Sequence, residues 1–166
     1  MASASIDHFY DYMRDKGELF NRVTLQRAFI VDAESWHIMA RGVAKSLSSG
    51  TETVLFESGR SFGRNVIRTA MKRTTDRNEL LTFLSDLASA SGWGVFKIQA
   101  WEHMVIVESD NYALADVGGG SDVPSCYFLK GVFQGISETL FGKQATTAEY
   151  LCRSKGDDIC RFEIDF

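Results

Sequence analysis

The last seven residues alternate without a break. Cys160, Phe162, Ile164 and Phe166 share one face of an extended chain, while Arg161, Glu163 and Asp165 share the other. A period of two makes a strand with one face buried and one wet. Such a strand needs neighbours in a sheet and an apolar cover. The neighbours are legible upstream: VFKIQAW, 95–101, carries Phe96 and Ile98 on one face, and HMVIVES, 103–109, reads as its hairpin partner. SKGDD is the turn that joins the final strand to the one before it, and QRAFIVD, 26–32, reads as a further short strand.

The cover is helical. Asp32 and Glu34 open a helix with Trp36, Met39, Val43 and Leu47 at helical spacing, and Gly50 stops it. A second helix is expected over 51–72, with Leu55, Gly59, Phe62, Gly63, Val66, Ile67 and Ala70 facing inward. Two glycines four apart in a helix interior cost roughly 1 kcal/mol each against alanine, so both point to a close approach, by a ligand or by another helix. A third helix, 77–90, buries Leu80, Leu81, Leu84 and Leu87, and a fourth, 124–141, buries Phe128, Leu129, Val132, Phe133, Ile136 and Leu140. Ser121 or Asp122 can cap the fourth, Pro124 suits its first turn and Gly142 ends it. The reading is α+β: helices packed on an antiparallel sheet, in one domain over 1–166 with a 1–25 N-terminal extension and a 26–166 core.

With 166 residues, 45% of them hydrophobic and 12% aromatic, the chain can build a core without disulfide staples. A net charge of -4 gives no basic excess of the kind nucleic-acid binders carry, so nucleic acid is not an expected partner. No apolar run reaches the ~18 residues of a membrane span. MASASIDHFYDYMRDKGELF lacks the apolar segment of a secretory signal, so a cytoplasmic, reducing location is expected.

Two of the three cysteines, Cys152 and Cys160, lie on opposite arms of the final hairpin, and the third, Cys126, lies at the start of the fourth helix. A helix N-terminus favours a thiolate. Glu149 precedes Cys152 by three residues, so in a regular strand the two would point to opposite faces; for them to converge, a bulge or bend must lie between them. Cys126, Glu149, Cys152 and Cys160 would supply four ligands, a closed and therefore structural set for zinc. Three thiolates and a carboxylate leave -2 on such a site, which Arg153, Lys155 or Arg161 is positioned to offset. On spacing alone, buried core thiols and a disulfide stand beside zinc as readings.

The pattern Glu149-x2-Cys152-x3-Gly156-x3-Cys160-x-Phe162 resembles the C-terminal signature of the 4-vinyl-reductase-like domain family, and FESGRSFGRNV resembles that family's glycine-bearing helix. Cys126, 23 residues before Glu149, has the spacing seen in the related sensor domains of phenol-responsive activators. The resemblance covers about residues 26–166. It implies one structural zinc per chain on Cys126, Glu149, Cys152 and Cys160. It further implies an α+β domain enclosing an apolar pocket, a fold shared with vesicle-tethering subunits and haem-based nitric oxide sensors, and a homodimer. The implied function is a sensor or carrier that binds a small hydrophobic molecule. The alternatives are an interaction or tethering protein with a vestigial or lipid-filled pocket, and a tetrapyrrole-related reductase. The chain departs from the phenol sensors at HMVIVES, which has no aromatic residue, and at Thr147, where the resemblance implies a pocket tyrosine; phenol itself is therefore not the expected ligand.

Phe62, Val66, Phe96, Ile98, Phe128, Val132 and Phe133 either wall such a pocket or fill an ordinary core. Arg60, Arg64, Arg68 and Lys72, four apart, read as a solvated outer stripe, with an anionic ligand or acidic partner as the sharper alternative. His8, His37 and His103 are scattered, and no Ser/His/Asp spacing, phosphate loop or carboxylate pair marks an active site. A redox role for the thiolates remains open at this point.

Overall fold

In the computed structural model the described residues are 6–22, 25–47, 49–117 and 126–166. After a short 3-10 turn, β1 (Tyr10–Met13), β2 (Glu18–Asn21) and β3 (Gln26–Ala28) form a small antiparallel sheet in that order. Three helices follow, α1 (Ala33–Leu47), α2 (Thr51–Ala70) and α3 (Arg77–Ala90). Then come β4 (Val95–Ala100), β5 (Met104–Asp110), the short α4 (Ala113–Val117), α5 (Tyr127–Phe141), β6 (Thr146–Leu151) and β7 (Cys160–Asp165). The second sheet runs β4-β5-β7-β6, antiparallel throughout, so β7 is a central strand. Its alternation follows from that place: Cys160, Phe162 and Ile164 are fully buried under α5, and the charged residues between them face outward.

Helices α2 and α5 pack backbone against backbone. A Cβ built on Gly59 would lie 2.0 Å from the Phe128 carbonyl oxygen, and one on Gly63 would lie 2.1 Å from that of Val132. The reciprocal pair is on α5, where Gly131 and Gly135 sit against the carbonyl oxygens of Phe56 and Arg60. The close approach expected at Gly59 and Gly63 is thus that of another helix. It brings Glu138 of α5 between Arg60 and Arg64 of α2, with contacts of 2.7 Å to each. The expected solvated stripe is corrected accordingly: its first two members turn toward α5, because Glu138 is 8% exposed and needs charged partners.

Other expectations shift at the edges. Asp76 accepts from the backbone of Glu79 and caps α3, whose bounds match the expected 77–90. The strand expected over 26–32 stops at Ala28, leaving Phe29 and Ile30 more than four-fifths exposed. Residues expected to form an N-terminal extension instead form the β1–β2 hairpin, with Phe9 buried against Phe83. α1 forms where its periodicity places it but buries none of its residues. The expected cap at Ser121 or Asp122 and the first turn at Pro124 lie outside the described residues. Among the described residues no helix is long and apolar enough to cross a membrane.

Candidate metal centre and adjoining cavity

Three elements deliver four side chains to one point. Cys126 occupies the N-cap position of α5, Glu149 lies on β6, Cys152 follows β6, and Cys160 opens β7. The bend demanded by the Glu149–Cys152 spacing is present. The β6–β7 register shifts between Glu149 and Leu151, so Tyr150 is the extra residue of a bulge, and it points to solvent. A 3-10 turn, Arg153–Lys155, and Gly156 at φ 105° then carry the chain round to Cys160.

The ligand atoms of Cys126, Glu149, Cys152 and Cys160 all lie within 4.8 Å of one another. The Cys126 sulfur is 3.7 Å from that of Cys152 and 3.9 Å from that of Cys160. A disulfide requires about 2.05 Å; all three thiols are free. Tetrahedral thiolates at about 2.3 Å from a zinc ion would stand about 3.8 Å apart, so the observed spacing fits the edges of such a tetrahedron. Glu149 divides its carboxylate: Oε2 accepts from the Cys126 backbone N–H at 3.1 Å, and Oε1 is buried without a hydrogen-bond partner. A buried carboxylate oxygen left bare is costly unless a cation meets it. Backbone groups hold the sulfurs in place. Arg153 N–H reaches the Cys160 sulfur at 3.4 Å, and Asp157 accepts from Cys152 N–H at 2.8 Å.

Without a cation the cluster disfavours charge. Burial, then the contact with Cys152, raises Glu149 above its ordinary value. The Cys126 thiol is raised by its contacts with Cys152 and Cys160 and by burial. At Cys160 the contact with Cys126 lowers the pKa, but Cys152 and burial outweigh it and push it up to about 12. Tyr112, buried nearby, is raised by burial and by these same thiols. The donors expected to offset the site's charge are engaged elsewhere: Arg161 pairs with Glu108 and Glu163 on the far face of the sheet, and Arg153 donates to the Asp158 carbonyl.

Residues 105–166 match the family model of the 4-vinyl-reductase domain. The chain resembles the 4-vinyl-reductase-like family, as its motif implies. That segment runs from β5 to β7 and contains all four clustered residues. An uncharacterized protein of Methanocaldococcus jannaschii is 24% identical over 115 residues, 69% of this chain and 57% of that protein; the chain thus spans little more than half the length of the curated relative it matches. The phenol-responsive sensory domain of the transcription activator PoxR, solved with phenol, superposes with a TM-score of 0.79 at 14% identity, over 96% of this chain and 86% of that one. A vinyl-4-reductase family protein of M. jannaschii gives 0.63 at 20% identity, over 83% of each chain. At these identities the likeness is one of fold, and an α+β architecture of the 4-vinyl-reductase type is what it establishes.

Beside the cluster, a cavity of about 340 Å³ opens between α2, α3, α5, β4 and the small N-terminal sheet. Of the residues named from sequence, Phe62, Val66, Phe96, Ile98, Val132 and Phe133 line it, whereas Phe128 lines a second, adjoining cavity of about 780 Å³. Phe62 also borders the second one. Phe62, Trp93 and Phe128 form an aromatic cluster with centroids 5.7–6.0 Å apart, and Trp36 meets Phe128 at 5.2 Å. Tyr10, Ser91 and Trp93 were not singled out in the sequence, because no periodicity marks residues from a hairpin and a helix end that meet only in the fold. Among the histidines, His103 is exposed at the β4–β5 turn, and none lines either cavity. Thr147 has its hydroxyl buried without a partner.

Proposed function

We propose that this chain is a zinc-stabilised binding domain for a small hydrophobic molecule, acting as a cytoplasmic sensor or carrier. One observation carries the reading: a single helix, α5, supplies both Cys126 to the cluster and Leu129, Val132, Phe133 and Ile136 to the cavity wall. The sulfurs of Cys126, Cys152 and Cys160 and Oε1 of Glu149 would hold one zinc per chain. With every position filled by protein, the ion's contribution is charge compensation and cross-linking. Pinning the N-terminus of α5 to the terminal hairpin then fixes the cavity wall. The PoxR domain's phenol and its shared fold support a small-molecule ligand; the departures at HMVIVES and Thr147 support one other than phenol.

A second reading, an interaction module, is favoured by α1. The helix buries none of its residues and leaves Met39, Val43 and Leu47 exposed, and we place the expected homodimer contact there. Native mass spectrometry of protein purified without chelator separates the two. A chain carrying zinc and a co-purified small molecule supports the first reading, and a dimer with zinc but no bound molecule supports the second.

A further inference from the structure

Tyr10, Ala28, Phe62, Ser91 and Trp93 line both cavities. Five shared residues mean that no more than one layer of side chains separates the two spaces, which adjoin at a neck. One side of the neck is apolar: the Phe62 and Trp93 rings stack 5.7 Å apart at 15°. The other side is polar, and its proton arrangement is determined. Ser91 Oγ lies 2.7 Å from the Leu87 carbonyl oxygen, which can only accept, so the serine proton is spent there. Tyr10 Oη lies 2.8 Å from the same Ser91 Oγ, and must therefore donate its own proton to it. Both hydroxyl protons are committed, and the lone pairs left at the neck only accept. The other polar residues of the inner cavity do not change this: Gln26, Arg27 and Asn65 are exposed and hydrated, and Asn21 has a partner of its own.

We infer that the two cavities are one binding channel for an elongated apolar alcohol, whose hydroxyl donates to Tyr10 at the neck while its apolar parts occupy the chambers on either side. The inference rests on the small-molecule reading above and sets its ligand class. A ketone, ether or ester of the same shape would bring a second acceptor against Tyr10 Oη, and lone pair facing lone pair gains nothing.

The test uses 1-hexanol, 1-decanol and decyl methyl ether, titrated into the purified full chain and followed by tryptophan fluorescence, with Trp93 at the neck as reporter. Decanol binds at least tenfold tighter than hexanol, because the added methylenes enter the second chamber. The ether binds about fivefold more weakly than decanol, the worth of one net hydrogen bond. Tyr10→Phe abolishes that difference, whereas Ser91→Ala, which frees the Tyr10 proton, narrows or reverses it in favour of the ether. Ala28→Phe narrows the neck and removes decanol's advantage while hexanol binding stays. Equal affinity of decanol and its ether for the unmodified chain overturns the accepting neck, and equal affinity of hexanol and decanol overturns the joined channel; in both cases the pocket reading stands. Binding of none of the three overturns the pocket reading with it.

Discussion

Glu149 concentrates the conflict within the cluster. Burial favours its neutral form, yet one oxygen already accepts a backbone hydrogen bond and the other is bare. In the metal-free protein its raised pKa exceeds the ordinary 4.5 of the unfolded chain. Its stabilising contribution is then complete below 4.5 and is lost as pH rises through the folded value. The buried thiols continue the same trend at higher pH. Metal reverses the sign, since it binds only deprotonated ligands. Thermal melts of chelator-stripped protein should therefore fall between about pH 5 and about pH 9, while metal-loaded protein should lose stability toward the acid end. Parallel curves for the two preparations would contradict the assignment. The convergence was partly legible in the sequence: residue types and spacing named the four groups and demanded a bulge. The split use of the Glu149 oxygens and the hydrogen bond from Cys152 to Asp157 depend on a turn geometry that no spacing encodes.

Glu138 shows the opposite balance. Burial alone would raise its pKa, but hydrogen bonds from Arg60, Arg64 and Gln134 hold it at about 2. Its contribution is present above 4.5 and is lost as pH falls through about 2. Glu138→Gln should destabilise the protein by about 2 kcal/mol at neutral pH, less than a fully buried pair because both arginines are partly exposed. Urea unfolding should show that deficit at neutral pH and its disappearance in strong acid.

Among the elements, the α2–α5 pair governs. Gly63→Ala or Gly135→Ala would place a methyl about 2.1 Å from a facing carbonyl oxygen, so the helices must part. Helix propensity gains about 1 kcal/mol, but loss of close packing along the interface should exceed it, for a net destabilisation of about 3 kcal/mol. A stability equal to or above the unmodified chain's in urea would show that the approach is not needed. The sequence marked the α2 glycines, since Gly59 and Gly63 interrupt an otherwise strong helix. It did not mark their partners, because Gly131 and Gly135 sit among large apolar residues that read as an ordinary inner face. The period of α1 was equally plain, but period reports which face is apolar and not whether anything covers it; Met39, Val43 and Leu47 remain in solvent.

At the scale of the molecule, the second sheet, α2, α3 and α5 follow closely from alternation and helical period, and the strands and helices expected there are present. The N-terminal hairpin does not follow. β1 and β2 are four residues each, too short to show a period, and their place is set by Phe9 docking on Phe83 and Tyr10 bonding Ser91. Those long-range contacts close one side of the cavity, so the part of the chain least legible in the sequence shapes the candidate binding site. The metal cluster lies at the other end of α5 from Glu138, and the helix links the two as a rigid rod.

The most direct measurement is zinc K-edge X-ray absorption on protein expressed in zinc-supplemented medium and purified without chelator, with metal content determined on the same sample. The account predicts about one zinc per chain, with three sulfur neighbours at about 2.3 Å and one oxygen at about 2.0 Å, and loss of that signal in Cys152→Ser. A metal-free protein that melts as the zinc-supplemented one does, or a bound zinc without sulfur in its shell, would contradict it.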